Sequence, residues 1–146
     1  MSASNAMENG LLLLIFNNTN FALIGDATGL RGSSTAGSLY ISLHTSDPGE
    51  AGAQNTNETS YGSYARVAVA RSGAGFTVSS DTVSNAAAVT FPACSSGTPT
   101  LTHFGIGTDS SGAGVLLTSG ALGSSLAVSS GITPSFAIGQ LTNTVA

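Results

Sequence analysis

The sequence is short of charge and contains no lysine. Only 7% of its 146 residues are charged, and three arginines (Arg31, Arg66 and Arg71) stand against seven acids, which gives a formal charge of −4. Nucleic acids and anionic membranes are bound through clustered basic residues, and three scattered arginines do not form a cluster. The composition therefore disfavours both as partners. Few charges also give weak electrostatic protection against association, which suits a chain that packs against copies of itself or another protein.

Cysteine is nearly absent as well. The single Cys94 cannot form an internal disulfide, and it excludes a cysteine-rich zinc module. We interpret Cys94 as a small buried apolar residue rather than a nucleophile. A chain of this length fits one structural unit that buries roughly 68–70% of its unfolded surface, which is enough for an ordinary core.

Only one long apolar run is present, GLLLLIF at residues 10–16. It is too short to cross a bilayer, which takes about 20 apolar residues. It also lacks the basic segment that precedes the apolar part of a signal peptide, since Glu8 is the only charge before it. We therefore expect a buried helix and no membrane association.

The helix has recognisable ends in the sequence. Asn5 followed by Glu8 resembles a capping box, which predicts a helix from about Ala6 to Phe16 that stops at the pair Asn17-Asn18. The run is apolar on every side, so it must be covered on more than one face. A neighbouring subunit could supply part of that cover. We assign residues 1–38 to this helix and a connecting arm.

From Leu39 onward the apolar residues recur with a period of two, which is typical of half-buried strands. Clusters rich in Gly, Ser, Pro and Asp separate these segments and predict turns. The pattern predicts an all-β fold for residues 39–146, an antiparallel β-sandwich or jelly roll of about seven to nine short strands. The segments are Leu39–His44, Arg66–Arg71, Val89–Phe91, Thr102–Gly107, Val115–Thr118, Leu126–Val128, Phe136–Ile138 and Leu141–Val145.

His44 lies in the stretch LYISLHTSDPGEAG, three residues before Asp47 and six before Glu50. This spacing could form the corner of a metal or acid/base site. Strand alternation places His44 at the end of a polar face, and Asp-Pro-Gly has the chemistry of a turn. A zinc site needs further strong ligands, and the other histidine, His103, is on a distant strand. We favour a strand that ends in a turn.

Other catalytic and ligand motifs are also missing from the sequence. No serine lies in a G-x-S-x-G elbow, and a chain without lysine has no Walker A loop. The run that begins at Asp109 fits a loop tip better than a calcium loop, which needs more carboxylates. We predict no catalytic residue, no cofactor and no metal.

The stretch NETSYGSYARVAV, Asn57–Val69, allows two interpretations. Tyr61 and Tyr64 lead into a strand, with Glu58 before them and Arg66 after them. The favoured interpretation is an aromatic anchor at a strand start, together with a surface ion pair of little energetic worth. The alternative is an interface, because tyrosine and arginine are common among binding anchors.

The order of these segments resembles a family of small tailed-bacteriophage virion proteins. An apolar helix is followed by LYISLHTSDPGEAG, NETSYGSYARVAV, VTFPA, THFGIGTDSSGAGVLLTSGAL and ITPSFAIG, so the likeness extends from about Asn9 to Thr144. Such proteins are labelled tail-fibre-like, minor structural, or capsid cement and decoration proteins. The resemblance implies a β-rich, non-enzymatic component of the virion, made in the host bacterial cytoplasm. It does not imply a position on the particle.

One departure from the family pattern bears on the interface. The N-terminal helix of such proteins usually carries polar residues among its leucines, whereas this one reads GLLLLIF. This difference favours a helix that docks into a subunit contact. The predicted interface anchors are Leu12, Leu13, Ile15 and Phe16, with Tyr61 and Tyr64 as second choice.

We expect a homo-oligomer, such as a trimer, bound to the major capsid protein or other virion proteins. The preferred role is a capsid cement or decoration protein that binds only the assembled lattice and stabilises it by mass action. The alternative is a tail-associated fibre or a receptor- or glycan-binding component, carried by the exposed loops Ser46–Asn57 and Asp109–Gly114. A cell-wall hydrolase is the weakest of the three hypotheses.

Overall fold

The structure, a computed structural model, describes residues 3–145, and within them the chain forms one helix and nine strands. The elements, in chain order, are α1 (Asn5–Asn17), β1 (Ser38–His44), β2 (Val67–Ala70), β3 (Phe76–Ser79), β4 (Thr82–Asn85), β5 (Val89–Thr90), β6 (Thr100–Gly107), β7 (Leu116–Ala127), β8 (Ser135–Phe136) and β9 (Thr142–Thr144).

The helix α1 is capped at both ends, by a serine side chain at its start and by a left-handed residue at its end. Ser4, rather than Asn5, is the N-cap, and its hydroxyl accepts a bond from the Met7 amide at 3.3 Å. Asn18 ends the helix in a left-handed conformation with φ of 55°. Asparagine tolerates that conformation, so the predicted stop is confirmed. The predicted start was one residue late because Ser4 is as good a cap as Asn5.

The chain divides into two compact units, and α1 belongs to the first, which comprises residues 3–38, 69–88 and 137–145. In this unit α1 packs on the sheet β3-β4-β9. The rings of Phe16 and Phe76 meet edge to face with their centroids 5.1 Å apart. The hairpin of β3 and β4 was not predicted from sequence, because its segment FTVSSDTVSN is short and mostly polar.

The C-terminal segment joins the first unit through a buried asparagine. Asn85 is 1% exposed, and its side-chain amide donates to the carbonyls of Ala87 and Ala137, each at 2.8 Å. The side-chain oxygen accepts the Leu141 amide at 2.9 Å. These bonds hold the last strand, β9, in register with β4.

The connecting arm packs on α1 through the ring of Phe21, and Arg71 binds the end of the helix. A Cβ at Gly10 would lie 2.6 Å from the ring of Phe21, so only glycine allows the arm to pack this closely. Arg71 donates to the carbonyls of Leu14 and Ile15 at the end of the helix, at 2.9 and 2.7 Å. A cation at this end also suits the helix dipole.

The second unit comprises Leu39–Ala68 and Val89–Phe136. Its main element is a four-stranded sheet in the order β2-β1-β6-β7. The strands β1 and β6 are antiparallel, with Tyr40 opposite Gly107 and His44 opposite His103. A two-stranded antiparallel pair, β5 and β8, belongs to the same unit.

Aromatic rings form a continuous row in the second unit. The ring of Tyr64 stacks on that of Phe91, with centroids 6.3 Å apart. Phe136 then meets both Phe91 and Phe104 edge to face, at 6.2 and 6.1 Å. These contacts join β6 to the short β5–β8 pair, which has too few backbone bonds to be stable by itself.

The observed architecture confirms the predicted fold class: mostly antiparallel β structure with a short N-terminal helix, consistent with a β-sandwich. The segments Val115–Thr118 and Leu126–Val128, predicted as separate, belong to the one strand β7. The boundary between residues 1–38 and 39–146 stays a prediction, and positions 1, 2 and 146 of those ranges lie outside the described residues.

Candidate binding surface

His44 is fully buried, at 0% exposure, with a hydrogen-bond partner on each ring nitrogen. Nδ1 lies 2.8 Å from the carbonyl oxygen of Thr56, and Nε2 lies 2.9 Å from the hydroxyl of Ser42. Because a carbonyl only accepts, Nδ1 carries the proton in the neutral ring and Ser42 donates to Nε2. His44 and Ser42 lie on the polar face that the sequence predicted, and this face is buried because the loop after β1 folds back over it.

Burial lowers the pKa of His44 below its ordinary value, although the Thr56 carbonyl and the charge of Glu58 act in the opposite direction. The ring is therefore neutral in the folded protein at neutral pH. With both nitrogens occupied, His44 has no free position for a metal or a substrate proton.

We expect the protein to lose stability as the pH falls below about 6.5, the ordinary pKa of histidine. In that range the unfolded chain binds a proton that folded His44 does not take up, and this favours unfolding by at most about 1.4 kcal/mol per pH unit. Urea unfolding between about pH 7 and pH 5 measures the slope. The variant His44→Gln keeps a donor and an acceptor but does not titrate, so its curve should be flatter. If the free energy of unfolding depended on pH equally in the two proteins, His44 would not be the buried neutral group that causes the loss.

Glu58 and Arg66 form a buried ion pair rather than the expected surface pair. Nη2 of Arg66 lies 2.7 Å from Oε2 of Glu58, and the two side chains are 2% and 14% exposed, respectively. A second bond, from Nε to Oε1 at 2.7 Å, makes the contact bidentate. Hydrogen bonding to Glu58 raises the pKa of Arg66, so this arginine stays charged.

Tyr64 links the ion pair to β1. Its hydroxyl donates to Oε1 of Glu58 at 2.8 Å and accepts the amide of Leu43 at 3.0 Å. Burial is the main cause that raises the pKa of this phenol above its ordinary value, so the hydroxyl keeps its proton. The result is a connected polar network in which each of these side chains has its partner.

Arg66 also binds the loop between β6 and β7. It donates to the carbonyls of Asp109 and Gly112, at 2.8 and 2.6 Å. Gln54, at 0% exposure, also binds this loop. Its side-chain oxygen accepts the backbone amide of Asp109 at 3.1 Å, and its backbone amide donates to the carbonyl of Gly114 at 2.9 Å.

These bonds bring together two loops that are distant in sequence, Thr45–Asn57 and Thr108–Val115, which we call the loop cluster. Its buried side is fixed by the network, whereas Asp109–Ala113 is exposed throughout. A cavity of about 400 Å³ lies beside it, lined by Asp47, Gly49, Glu50 and Leu116–Ser119. The loop cluster therefore presents hydroxyls, carboxylates and main-chain groups on a rigid support, an arrangement suited to binding.

The predicted interface residues are divided between the two units. Leu12 and Phe16 are 2% and 4% exposed in the first unit, whereas Leu13 is half-buried and Ile15 is 36% exposed. In the second unit Tyr61 is buried and Tyr64 half-buried, with their rings in edge-to-face contact at 5.2 Å. The interface role of these six residues stays a prediction.

Sequence reasoning missed two exposed apolar features. One is the arm, in which Leu23 is 82% exposed beside Ile24 at 44%. The other is β7, where Leu117 and Leu126 are 41% and 37% exposed. Neither segment shows an unusual pattern in sequence, because exposure of a leucine depends on which strand lies beside it.

Residues 3–145 contain no cluster of three or more His, Cys, Asp or Glu side chains that could hold a metal ion. They also contain no helix with the length and hydropathy needed to span a membrane.

Comparison with known proteins identifies the family. Residues 2–144 match the sequence model of a family described as podophage GP4 fiber I protein gp80. The chain belongs to this family. The predicted resemblance to phage virion structural proteins is thereby confirmed, and the protein is a component of the virion. The description of the GP4 fiber I family names a fibre protein and no enzyme. No curated protein matches the chain.

Proposed function

We propose that the protein is a structural subunit of a virion fibre and that its loop cluster contacts a surface outside the fibre. The observation that carries this proposal is the joining of Thr45–Asn57 and Thr108–Val115 by Gln54, whose side chain accepts the amide of Asp109. Arg66, paired with Glu58 directly after the first loop, adds bonds to Asp109 and Gly112. A rigid scaffold that presents exposed loops is the usual arrangement of a binding surface. The family description, which names a fibre protein, supports the same function.

The chemistry of the loop cluster indicates a polar partner. The exposed segment Asp109–Ala113 has the sequence DSSGA, and Asp47 and Glu50 are exposed on the other loop. Neither loop contains an aromatic residue, so stacking against sugar rings does not contribute. The contact would use hydrogen bonds from serine hydroxyls and main-chain groups, and it would favour neutral or basic groups over acidic ones.

Capsid cement is the second candidate function. The exposed side chains of Leu23 and Ile24 on the arm support it, because a protein bound to a lattice covers such groups. We place it second because the family description names a fibre. A cement protein would raise the melting temperature of heads that lack it.

Copy number separates the two roles. We expect a few to a few dozen copies per virion, because fibres are few and the capsid lattice repeats its subunit hundreds of times. Densitometry of purified virions against the major capsid protein measures the ratio, and antibody labelling shows the position. Hundreds of copies distributed over the head would overturn the fibre role in favour of cement.

The binding role of the loop cluster is tested by adsorption. We expect virions that carry the double variant Ser110→Tyr/Ser111→Tyr to bind host cells at least about tenfold more weakly, the equilibrium effect of losing about 1.4 kcal/mol at a contact. The matched control is Ser129→Tyr/Ser130→Tyr, two exposed serines in another loop. Equal adsorption by both variants would show that Asp109–Ala113 does not bind the host.

A further inference from the structure

The connecting arm folds into a hairpin, Asn18–Ser33, which we call the arm hairpin. Phe21 and Leu30 exchange two backbone hydrogen bonds, each of 2.9 Å. At the base of the hairpin the side-chain amide of Asn18 donates to the carbonyl of Ser33 at 2.9 Å, and its oxygen accepts the Ser33 amide at 2.7 Å. The residues between Phe21 and Leu30 form the tip.

The tip is shaped by its own bonds. Oδ1 of Asp26 accepts the amides of Thr28 and Gly29, at 2.7 and 2.8 Å. Gly29 has a φ of 71°, and a Cβ at this position would collide with the carbonyl oxygen of Phe21, so the turn requires glycine. The tip is therefore pre-organised, which lowers the cost of ordering it when it binds a partner.

This pre-organised tip exposes apolar side chains. Leu23 is 82% exposed, and the neighbouring Ile24 is 44% exposed. Leu23 also has a φ of 68°, a left-handed conformation that is unfavourable for leucine. A strained backbone held in a well-bonded loop indicates a function for the side chain that it presents.

The arm hairpin also carries the one arginine that the fold does not use. Arg66 pairs with Glu58, and Arg71 binds carbonyls at the end of α1. Arg31, one residue after the backbone bridge, is exposed, and within residues 3–145 its side chain makes no hydrogen bond or ion pair. The hairpin thus presents two apolar side chains and an unpaired cation.

The cavity beside the loop cluster has the complementary chemistry. The strand β7 contributes Leu116–Ser119 to its lining, and Leu117 is 41% exposed there. The loop after β1 contributes Asp47 and Glu50. In the described part of the chain the only ion pair is that of Arg66, so neither of these acids has a cation partner.

The cavity is also large enough for the tip. Its volume is about 400 Å³. A void of the size of one leucine side chain is on the order of 150 Å³, so two aliphatic side chains fit.

We propose that the arm hairpin of one copy of this chain inserts Leu23 and Ile24 into the cavity beside the loop cluster of a second copy. Arg31 then lies beside Asp47 and Glu50 of the partner subunit. The contact joins two different patches, so it is heterologous and repeats from copy to copy. It closes into a ring or continues as a filament, according to the rotation between neighbouring copies.

A second copy fits the tip better than an unrelated protein because one contact satisfies every group that the chain leaves open. The exposed leucine of the cavity covers the exposed tip, and the unpaired arginine meets the unpaired acids. Opposite charges of this kind fix the partner and the register. The proposal goes beyond the host contact proposed above, since Asp109–Ala113 does not line the cavity.

The expected association is weak in solution. A hairpin tip covers less than the area of about 800 Å² per partner that a standard interface buries. We expect a dissociation constant on the order of 100 μM. Binding is tighter where the virion holds copies close together.

Sedimentation of the full-length protein tests the proposal with one variant on each side of the contact. Leu23→Asn/Ile24→Ser removes the apolar tip, and asparagine tolerates the left-handed conformation. Leu117→Arg places a cation in the cavity, where it repels Arg31. Each variant alone should stay monomeric. An equimolar mixture should form a 1:1 dimer and nothing larger, because one intact hairpin and one intact cavity remain.

A charge exchange tests the ion pair. Arg31→Glu should weaken association at least about tenfold, the effect of losing about 1.4 kcal/mol. Arg31→Glu/Glu50→Arg should associate more tightly than Arg31→Glu alone. The matched controls are Ile138→Ser and Leu126→Arg, at positions that are 69% and 37% exposed outside the hairpin and the cavity. Both should associate like the wild type.

Each outcome decides the proposal. Association that is lost in each of the two cross-variants and regained in their mixture supports insertion of the hairpin into the cavity. A wild-type protein that stays monomeric at about 1 mM, tenfold above the expected constant, would overturn it and would favour another virion protein as the partner of the tip. A mixture that stays monomeric, or association that neither variant changes, would also overturn it. Circular dichroism of each variant checks that the fold is retained.

Discussion

Replacing Arg66 by alanine is expected to lower the free energy of unfolding by about 3–5 kcal/mol. The change removes the cation from a pair whose side chains are 2% and 14% exposed, and Glu58 is left with the Tyr64 hydroxyl as its remaining partner among these groups. The carbonyls of Asp109 and Gly112 lose their donor at the same time. Because an uncompensated buried carboxylate is costly, this effect is larger than the loss of a surface pair.

Urea unfolding followed by circular dichroism measures the loss. Arg31→Ala is the matched control: Arg31 is exposed, so its removal should change stability by less than about 0.5 kcal/mol. The double variant Glu58→Ala/Arg66→Ala should lose less than the sum of the two single variants, because the carboxylate leaves with its partner. A loss below about 1 kcal/mol for Arg66→Ala would contradict the burial of the pair.

Replacing Phe76 by alanine is expected to cost about 3–5 kcal/mol in the first unit. Phe76 is 2% exposed, and its ring meets that of Phe16 edge to face. Its removal opens a cavity between α1 and β3, which these rings fill. Because Phe16 is one of the predicted interface anchors, this variant also tests whether α1 is bound mainly by its own chain.

The same unfolding measurement gives the result, with the neighbouring Thr77→Ala as control. Thr77 is exposed on the same strand, so its truncation should change stability by less than about 0.5 kcal/mol. Equal stability of Phe76→Ala and this control would show that α1 does not pack on β3 in solution. Another subunit would then have to cover the apolar face of the helix.

The strand pattern of the second unit could be predicted because its signal is local. The alternation at Leu39–His44 and Thr102–Gly107 predicted β1 and β6, since one face of each strand meets the core. The hairpin of β3 and β4 gave no such signal. Its strands have four residues each, with serine or threonine at half of the positions. Four residues contain too few apolar positions to show a period.

For the loop cluster, prediction from sequence was limited for a different reason. The sequence placed Glu58 beside Arg66 and singled out Asp109–Gly114 as an exposed loop. It could not show that Arg66 binds both, because 43 positions separate it from Asp109. It also predicted a surface pair, since exposure depends on the loop that folds back after β1. The residue types were thus predictable, whereas their burial and long-range partners required the fold.

The first unit holds both residue 3 and residue 145, because α1 packs on the sheet β3-β4-β9 and Asn85 of β4 binds the C-terminal segment. The loop cluster lies wholly in the other unit. On the proposed function, a substitution at an exposed position of those loops would change the contact surface while the packing of α1 on the sheet β3-β4-β9 stays as it is.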